Sequence, residues 1–344
     1  MTDENYFALQ WHITEKCDQR CKHCYLYAGK DRNSCRDLDL TTLKSILDNF
    51  IDFCRKVHVK PSIAVTGGDP LLYHDIWNFL ELLYSKSIPF SILGNPFHLD
   101  LPTAKKLKEL GCINYQMSLD GCKETHDYIR KKGSFDETLS KVVCLKEANI
   151  PSSIMTTVSK SNINEIPKLV DIIVASGFDR FIFARYCPNP CDYDLLPSPQ
   201  EYKNFLEIMW KKYESLKNSD TIFILKDHLW YLYLYEHGMF DISKVYNPDN
   251  LICDGCGCGA KHMAVLTDGT VYACRRCESP IGKVPENSFY DIFFSEKMDA
   301  YRQYDKFEAC NKCELKNFCR GCPSVAKCLT GNFYAKDPQC WKVF

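Results

Sequence analysis

Three cysteines stand in one short segment, Glu15-Lys16-Cys17-Asp18-Gln19-Arg20-Cys21-Lys22-His23-Cys24-Tyr25, directly after a run with the pattern of a strand. Three thiolates make an incomplete metal site. Structural zinc takes four protein ligands, whereas an iron-sulfur cluster held by three cysteines leaves one iron free to bind something else. The CxxxCxxC spacing therefore points to a cluster with an open iron. A denser set lies toward the carboxyl end: Cys253, Cys256, Cys258, Cys274, Cys277, Cys310, Cys313, Cys319, Cys322, Cys328 and Cys340. CxxC pairs at such distances describe zinc ribbons as well as iron-sulfur sites, and spacing alone leaves both open.

The 344 residues include 21 cysteines, yet the shares of hydrophobic (45 %) and charged (25 %) residues are ordinary for a folded chain long enough for more than one domain. No apolar run reaches the roughly 18 residues of a membrane span, and Met1 to Glu15 lacks the pattern of a signal peptide. The expected location is the cytoplasm, where such cysteine usage points to metal or redox chemistry before disulfides. Lys and Arg number 43 against 44 Asp and Glu, so no net field draws the chain to nucleic acid or to an anionic membrane, and neither is expected as a partner.

The elements that must position the first cysteines read as strands alternating with helices. Strand patterns cover Phe7 to Thr14, Ser62 to Val65, Phe90 to Leu93, Ile113 to Leu119, Ser153 to Val158 and Arg180 to Arg185. Between them, helical periodicity runs from Asp39 through Val57, then over Ile76 to Ser85, Thr103 to Leu110, Glu137 to Ala148 and Ile166 to Ala175. This alternation argues for βαβ crossovers and a parallel sheet, and six strands fit an open barrel. Prolines from Cys187-Pro-Asn-Pro-Cys191 to Pro197-Ser-Pro199 mark a boundary. Two helical stretches come next, about Gln200 to Leu216 and Lys226 to His237; the aromatics of the second (Trp230, Tyr231, Tyr233, Tyr235) read as core. The predicted class is α/β: a partial (β/α)6 TIM-type barrel over 1–195, a helical bridge over 196–250 and a small cysteine-rich domain over 251–344. In the last, Leu266 to Ala273 reads as a hairpin turning at Asp268-Gly269 and bringing Cys258 and Cys274 together.

Polar residues gather where these strands end. Gly67-Gly68-Asp69-Pro70 comes after the second strand, on the rim where barrel enzymes place ligand sites, and two glycines there let backbone approach a ligand closely. Ser118 and Asp120, after the fourth strand, supply hydrogen-bond partners for a diol. Thr157, Ser159 and Asn162 close the fifth.

Together these segments resemble the radical SAM superfamily. Its signature is the spacing of Cys17, Cys21 and Cys24, whose open iron chelates the amino and carboxylate groups of S-adenosylmethionine. Gly67-Gly68-Asp69 is similar to the family's GGE motif, which receives the methionyl amino group, with Asp69 standing where Glu is usual. Ser118-Leu119-Asp120-Gly121 is similar to the stretch that meets the ribose in related peptide-modifying enzymes, and Thr157 and Ser159 fall where relatives contact the adenosyl group. His126-Asp127-Tyr128-Ile129-Arg130 also matches a family pattern and reads as a loop-fixing segment. The spacing from Cys258 through Gly269 and Cys274 to Cys310-x2-Cys313-x5-Cys319-x2-Cys322 and Cys340 resembles the iron-sulfur SPASM domain, except that its last pair usually encloses three residues. The resemblance implies one auxiliary cluster on Cys253, Cys258, Cys274 and Cys322 and a second on Cys310, Cys313, Cys319 and Cys340, with Cys256 a rival to Cys253 and Cys277 and Cys328 unassigned.

The family resemblance implies a peptide maturase: S-adenosylmethionine is reductively cleaved on the first of three [4Fe-4S] clusters, and hydrogen is taken from a ribosomally made peptide to install a crosslink or other modification. It implies an external electron donor such as flavodoxin or ferredoxin. With sixteen residues before Cys17, the precursor is expected to be held by the barrel mouth, the SPASM surface or a separate leader-binding partner. Two alternatives stand beside it. Sulfatase-maturing relatives place an aspartate base after the cysteine corresponding to Cys274, where this chain has Arg275. A non-catalytic, zinc-stabilised peptide-binding scaffold would carry the same cysteines. No catalytic side chain is assigned. Cys187 and Cys191 read as turn or packing residues rather than hydrogen donors.

Overall fold

The structure, a computed structural model, describes residues 5–24, 37–188, 192–249 and 251–343; Tyr25 and Cys191 lie outside the described residues. In chain order the elements begin with β1 (Tyr6–His12), α1 (Leu40–Lys56), β2 (Lys60–Thr66), α2 (Ile76–Ser85), β3 (Phe90–Leu93), α3 (Leu101–Glu109) and β4 (Cys112–Ser118). They continue with α4 (Lys123–Ile129), α5 (Ser134–Glu147), β5 (Ser152–Val158), α6 (Ile166–Ser176), β6 (Arg180–Arg185), α7 (Pro199–Ser215), β7 (Ile222–Ile224) and α8 (Trp230–Glu236). The remainder are β8 (His262–Val265), β9 (Thr270–Tyr272), β10 (Pro280–Lys283), α9 (Phe289–Phe293), α10 (Glu296–Asp299) and α11 (Pro323–Thr330). Among the described residues no helix is long and apolar enough to cross a membrane.

The fold is α/β with a parallel-strand sheet, and it divides into two compact units. The first comprises Met1–Ser118, His126–Ile154 and Cys258–Arg302. Its strands lie in the order β10-β9-β8-β1-β2-β3-β4. From β1 to β4 neighbouring strands run parallel, as the crossover helices require. β8 joins β1 in parallel, and β8, β9 and β10 pair antiparallel. The expected hairpin is therefore present, and Gly269 at its turn has φ +83° with the Val284 carbonyl oxygen 2.1 Å from where a Cβ would sit. α1 forms as its sequence dictates: Asp39 caps it by accepting the Thr42 N–H at 2.9 Å, and Leu43, Ile46, Leu47, Phe50, Phe53 and Cys54 bury one face. Phe7 of β1 meets Phe53 edge-on at 4.9 Å, and Trp11 meets Phe79 of α2 at 5.1 Å.

The second unit comprises Leu119–Thr125, Met155–Gly257 and Gln303–Phe344. Here β7 pairs parallel with β6. Three residues are too few for periodicity to reveal β7, and the seven-residue α4, which buries only His126 and Ile129, reads as a polar connection. Of the α8 aromatics, Trp230 and Tyr233 are buried, Trp230 against Phe183 at 6.0 Å and Phe223 at 6.5 Å. α7 opens with a capping box, Ser198 accepting the Glu201 N–H and Glu201 accepting the Ser198 N–H.

His12, the last residue of β1, gives a test of this packing. Burial, followed by the charge of Arg275, pushes its pKa from the ordinary 6.5 down to about 3. The folded imidazole stays neutral while the unfolded one protonates, so the stability this group contributes is present above pH 6.5 and lost as pH falls toward 3. The unfolding midpoint should fall across that window, and His12→Gln should flatten the fall; equal slopes in parent and variant would contradict the assignment.

Candidate functional site

The register of β1 on β2 pairs His12 with Thr66. Two parallel strands ending in register must place their exit segments side by side, so the cysteine loop and Gly67-Gly68-Asp69 are neighbours. The hydrogen-bond ladder continues past the strand ends: Gly68 N–H donates to Thr14 O and Asp69 N–H to Lys16 O, both at 2.7 Å. A Cβ on Gly67 (φ +152°) would stand 2.2 Å from Thr14 O, and one on Gly68 2.2 Å from Lys16 O. The close approach that these glycines permit is to the backbone leading into Cys17.

Around that loop the first unit supplies polar contacts. Asn95 Nδ2 lies 3.9 Å from Cys17 Sγ and donates to Asp18 Oδ1 at 2.7 Å. Asp18 also meets Lys131 at 3.3 Å and His98 at 3.7 Å. Burial pushes the Cys17 thiol up to about 12, opposed by a backbone hydrogen bond at Gln19 and reinforced by Cys21, Asp69 and Asp18. A Cys17 thiol that resists ionising on its own needs a cationic group to hold it as thiolate, so ligation there releases a proton. Arg130 Nη1 lies 3.7 Å from Cys21 Sγ, and Lys22 N–H donates to Ile129 O at 2.9 Å. The segment 126–130 is the last turn of α4 and the residue after it rather than a loop, and it is fixed: His126 Nε2 pairs with Ser134 Oγ at 2.8 Å, and Asp127 accepts the N–H groups of Gly133 and Phe135 at 2.7 and 2.9 Å. The sequence reading missed that the end of this helix delivers a guanidinium to a cysteine.

Asp69 is fully buried. Its Oδ1 accepts the Leu71 N–H at 3.2 Å, while Oδ2 has no hydrogen-bond partner among the described residues. Burial raises its pKa to about 7; the Leu71 bond opposes this, Asp18 adds to it, and a main-chain hydrogen bond from Asn95 opposes it. Asp18, Asp69 and His98 offer ligand atoms within 4.8 Å of one another, the only such group of three or more His, Cys, Asp or Glu among the described residues. An orphaned acceptor within electrostatic reach of Cys17 fits a ligand that brings an amino group.

Ser118 ends β4 half-buried, and Asp120 beyond it is fully buried. In the second unit Asp120 Oδ1 accepts the Thr157 N–H at 2.8 Å. Asn162 Nδ2 ties the two segments by donating to Asp120 O at 2.9 Å and Thr157 O at 2.8 Å, and its Oδ1 accepts the Ser159 N–H at 2.8 Å. Glu165, unsuspected from sequence, clamps the turn after Asp120 by accepting from Cys122 N–H at 2.7 Å and Thr125 Oγ1 at 2.6 Å.

Of the later cysteines, Cys310, Cys313, Cys319, Cys322, Cys340, Cys253 and Cys256 belong to the second unit, and Cys258, Cys274 and Cys277 to the first. Cys310 is pushed up to about 12 by burial and then by Cys340 and Cys313; Cys319 is raised by burial, Cys340 and Cys310. These four thiols thus lie within electrostatic reach of one another. A single zinc at about 2.3 Å from each sulfur would draw tetrahedral ligands to about 3.8 Å apart. Among the described residues no three cysteine sulfurs lie within 4.8 Å of one another. Cys258 and Cys274 are buried, Cys253 is exposed, and Cys187 and Cys328 are half-buried.

Residues 11–173 match the family model described as the radical SAM superfamily, and residues 256–323 match SPASM, an iron-sulfur cluster-binding domain. The chain is similar to an AdoMet-dependent heme synthase of Methanosarcina barkeri, 27 % identical over 96 % of this chain and 95 % of that protein. It is 25 % identical to the mycofactocin maturase MftC of Mycolicibacterium smegmatis, over 97 % of this chain and 82 % of that one. Among solved structures, Streptococcus suis SuiB bound to the precursor peptide SuiA matches with a TM-score of 0.75 at 18 % identity, covering 98 % of this chain and 76 % of that chain, a likeness of fold.

Proposed function

Because the chain belongs to the radical SAM superfamily and carries an iron-sulfur cluster-binding SPASM domain, we propose that it is a peptide maturase. In this reading it abstracts hydrogen from a ribosomally synthesised peptide to install a crosslink or another modification. The observation that carries the radical chemistry is the unpartnered, buried Asp69 Oδ2 beside the cysteine loop. The peptide substrate rests on the likeness to MftC, a maturase by name. A second reading, a tetrapyrrole substrate, is favoured by the likeness to the heme synthase over nearly the full length of both proteins.

Cys17, Cys21 and Cys24 would hold a [4Fe-4S] cluster; when bound, it supplies the electron that divides S-adenosylmethionine into methionine and a 5′-deoxyadenosyl radical. The chain's own residues position and shield. Asp69 accepts from the methionyl amino group, Arg130 offsets thiolate charge at Cys21, and Ser118, Asp120, Thr157 and Ser159 hold the nucleoside. Cys310, Cys313, Cys319 and Cys340 would hold one auxiliary [4Fe-4S] cluster. By resemblance to the SPASM pattern, Cys258, Cys274, Cys322 and either Cys253 or Cys256 would hold a second. Flavodoxin or ferredoxin donates the electron.

Removing the Asp120 carboxylate takes away the nucleoside partner and the acceptor that pins Thr157 N–H. A hydrogen bond to a charged group contributes about 1.5–3 kcal/mol, so Asp120→Ala should weaken S-adenosylmethionine binding roughly 10- to 150-fold. Calorimetric titration of the anaerobic protein checks it, and parental affinity would remove Asp120 from the nucleoside site.

Iron and sulfide after anaerobic reconstitution test the cluster reading: three four-iron clusters give about twelve irons per chain. Stoichiometric zinc with iron near four would instead mean a zinc module in the carboxyl half. Product analysis with a candidate precursor peptide and, separately, an iron tetrapyrrole precursor of heme decides between the two substrates.

A further inference from the structure

Two short segments of the first unit meet at the cysteine loop and carry six Lys or Arg: Lys16, Arg20 and Lys22 in 16–24, and Arg130, Lys131 and Lys132 in 126–132. The same segments hold two carboxylates, Asp18 and Asp127, in a chain whose formal net charge is −1. The positive charge is therefore local. Lys22 N–H on Ile129 O at 2.9 Å and Arg130 Nη1 3.7 Å from Cys21 Sγ bring the two segments together. Lys16 pairs with Asp37 at 3.6 Å and Lys131 with Asp18 at 3.3 Å. Arg20, Lys22 and Lys132 are exposed and meet no carboxylate among the described residues.

Two of these exposed cations are held in place. Arg20 Nη1 donates to Gln19 O at 2.8 Å and also to Cys17 O, so its guanidinium is fastened to the loop backbone. Lys22 Nζ lies 3.0 Å from the centre of the Tyr128 ring, and Tyr128 is 71 % exposed. Beside them Lys131 Nζ lies 3.9 Å from the centre of the Phe97 ring. A long side chain parked on an aromatic face has already lost part of the freedom that binding would take from it. An exposed aromatic ringed by charges has the composition of an interface, with the aromatic at the centre and the charges at the rim.

We propose that this face, with Arg20, Lys22, Lys131 and Lys132 around Tyr128, is the docking surface for a small acidic electron-carrier protein. This rests on the reading that an external carrier reduces the cluster on Cys17, Cys21 and Cys24. The carrier gives up one electron and the cluster gains it, with no bond made or broken. Electron-transfer encounters bury little area, so opposite charge sets how often they form. An acidic peptide substrate would fit the same charges, but in this reading a peptide has to meet the nucleoside, whereas an electron has to meet the cluster. Cations fastened to the cysteine loop serve the electron.

The test uses the full-length protein, reconstituted anaerobically, with a flavodoxin of net negative charge as probe. Titration with oxidised flavodoxin gives the Kd without any turnover, and stopped-flow absorbance gives the rate at which its hydroquinone loses one electron and one proton to become the semiquinone. Lys22→Glu with Lys132→Glu should raise the Kd and lower that rate about ten-fold or more, within the ~10- to 1,000-fold that steering contributes. 5′-Deoxyadenosine formation at saturating dithionite should stay at the parental level, and Lys22→Arg with Lys132→Arg should keep both flavodoxin readouts. In the parent the rate should fall steeply as salt rises from about 0.01 to 0.15 M and the screening length contracts from ~30 to ~8 Å. Should the double variant lose iron, Lys132→Glu alone and the parental salt series decide. An unmoved Kd and rate in the glutamate variants, or a parental rate indifferent to salt, overturns the proposal. So does weaker binding of a glutamate-rich peptide with flavodoxin unaffected, which would give the face to the substrate. A parent that dithionite reduces and flavodoxin neither binds nor reduces overturns the carrier reading itself, so the two failures are distinct.

Discussion

Replacing Cys17, Cys21 and Cys24 together with alanine should abolish 5′-deoxyadenosine formation while about eight irons per chain remain. The expectation comes from how the loop is built. Its backbone is held by Gly68 N–H on Thr14 O, Asp69 N–H on Lys16 O and Lys22 N–H on Ile129 O. None of these bonds uses a thiol, so the triple variant should fold. Burial, with its anionic neighbours, pushes the Cys17 thiol up to about 12. Without the sulfurs nothing there anchors a cluster, and Asp69 alone gives S-adenosylmethionine no reductant. Anaerobic incubation with S-adenosylmethionine and dithionite, then chromatography for 5′-deoxyadenosine, is the measurement. Undiminished cleavage would place the radical chemistry elsewhere in the chain.

The cysteine spacing and the alternation of strands and helices were legible because both are local. α2, β3 and β6 have the bounds that their apolar runs predict. What was not legible arises where distant segments meet. Arg185 bonds Asp227, 42 residues away, and Asp337, 152 away, and no local pattern links them. Arg130 is 109 residues from Cys21, so its segment could be read as a self-contained loop but not as a neighbour of the triad. Asp69 shows the same limit: sequence marks it as a one-methylene departure from Glu, but only burial reveals an acceptor with an unmet bond. Short elements were lost for a different reason. β7 owes its existence to pairing with β6 rather than to any signal in Ile222-Phe223-Ile224.

The glycine pair separates two accounts of why such residues come after β2. If Gly68 served only to let a ligand approach, a methyl group there would weaken S-adenosylmethionine binding and leave the cluster intact. The structure puts that methyl group 2.2 Å from Lys16 O and 2.7 Å from Glu15 O, backbone atoms of the segment that enters Cys17. Backbone held by a strand on one side cannot step back as a flexible side chain would, so the strain falls on the loop. Overpacking of this kind costs about 1–3 kcal/mol, enough to lower the melting temperature by several degrees without unfolding a chain of this size. Gly68→Ala should therefore fold, hold about four irons fewer than the parent, and form no 5′-deoxyadenosine. The decisive comparison is iron content measured without S-adenosylmethionine. Full iron with weakened cofactor binding would show that the glycine faces the ligand, whereas lost iron shows that it seats the cysteine loop.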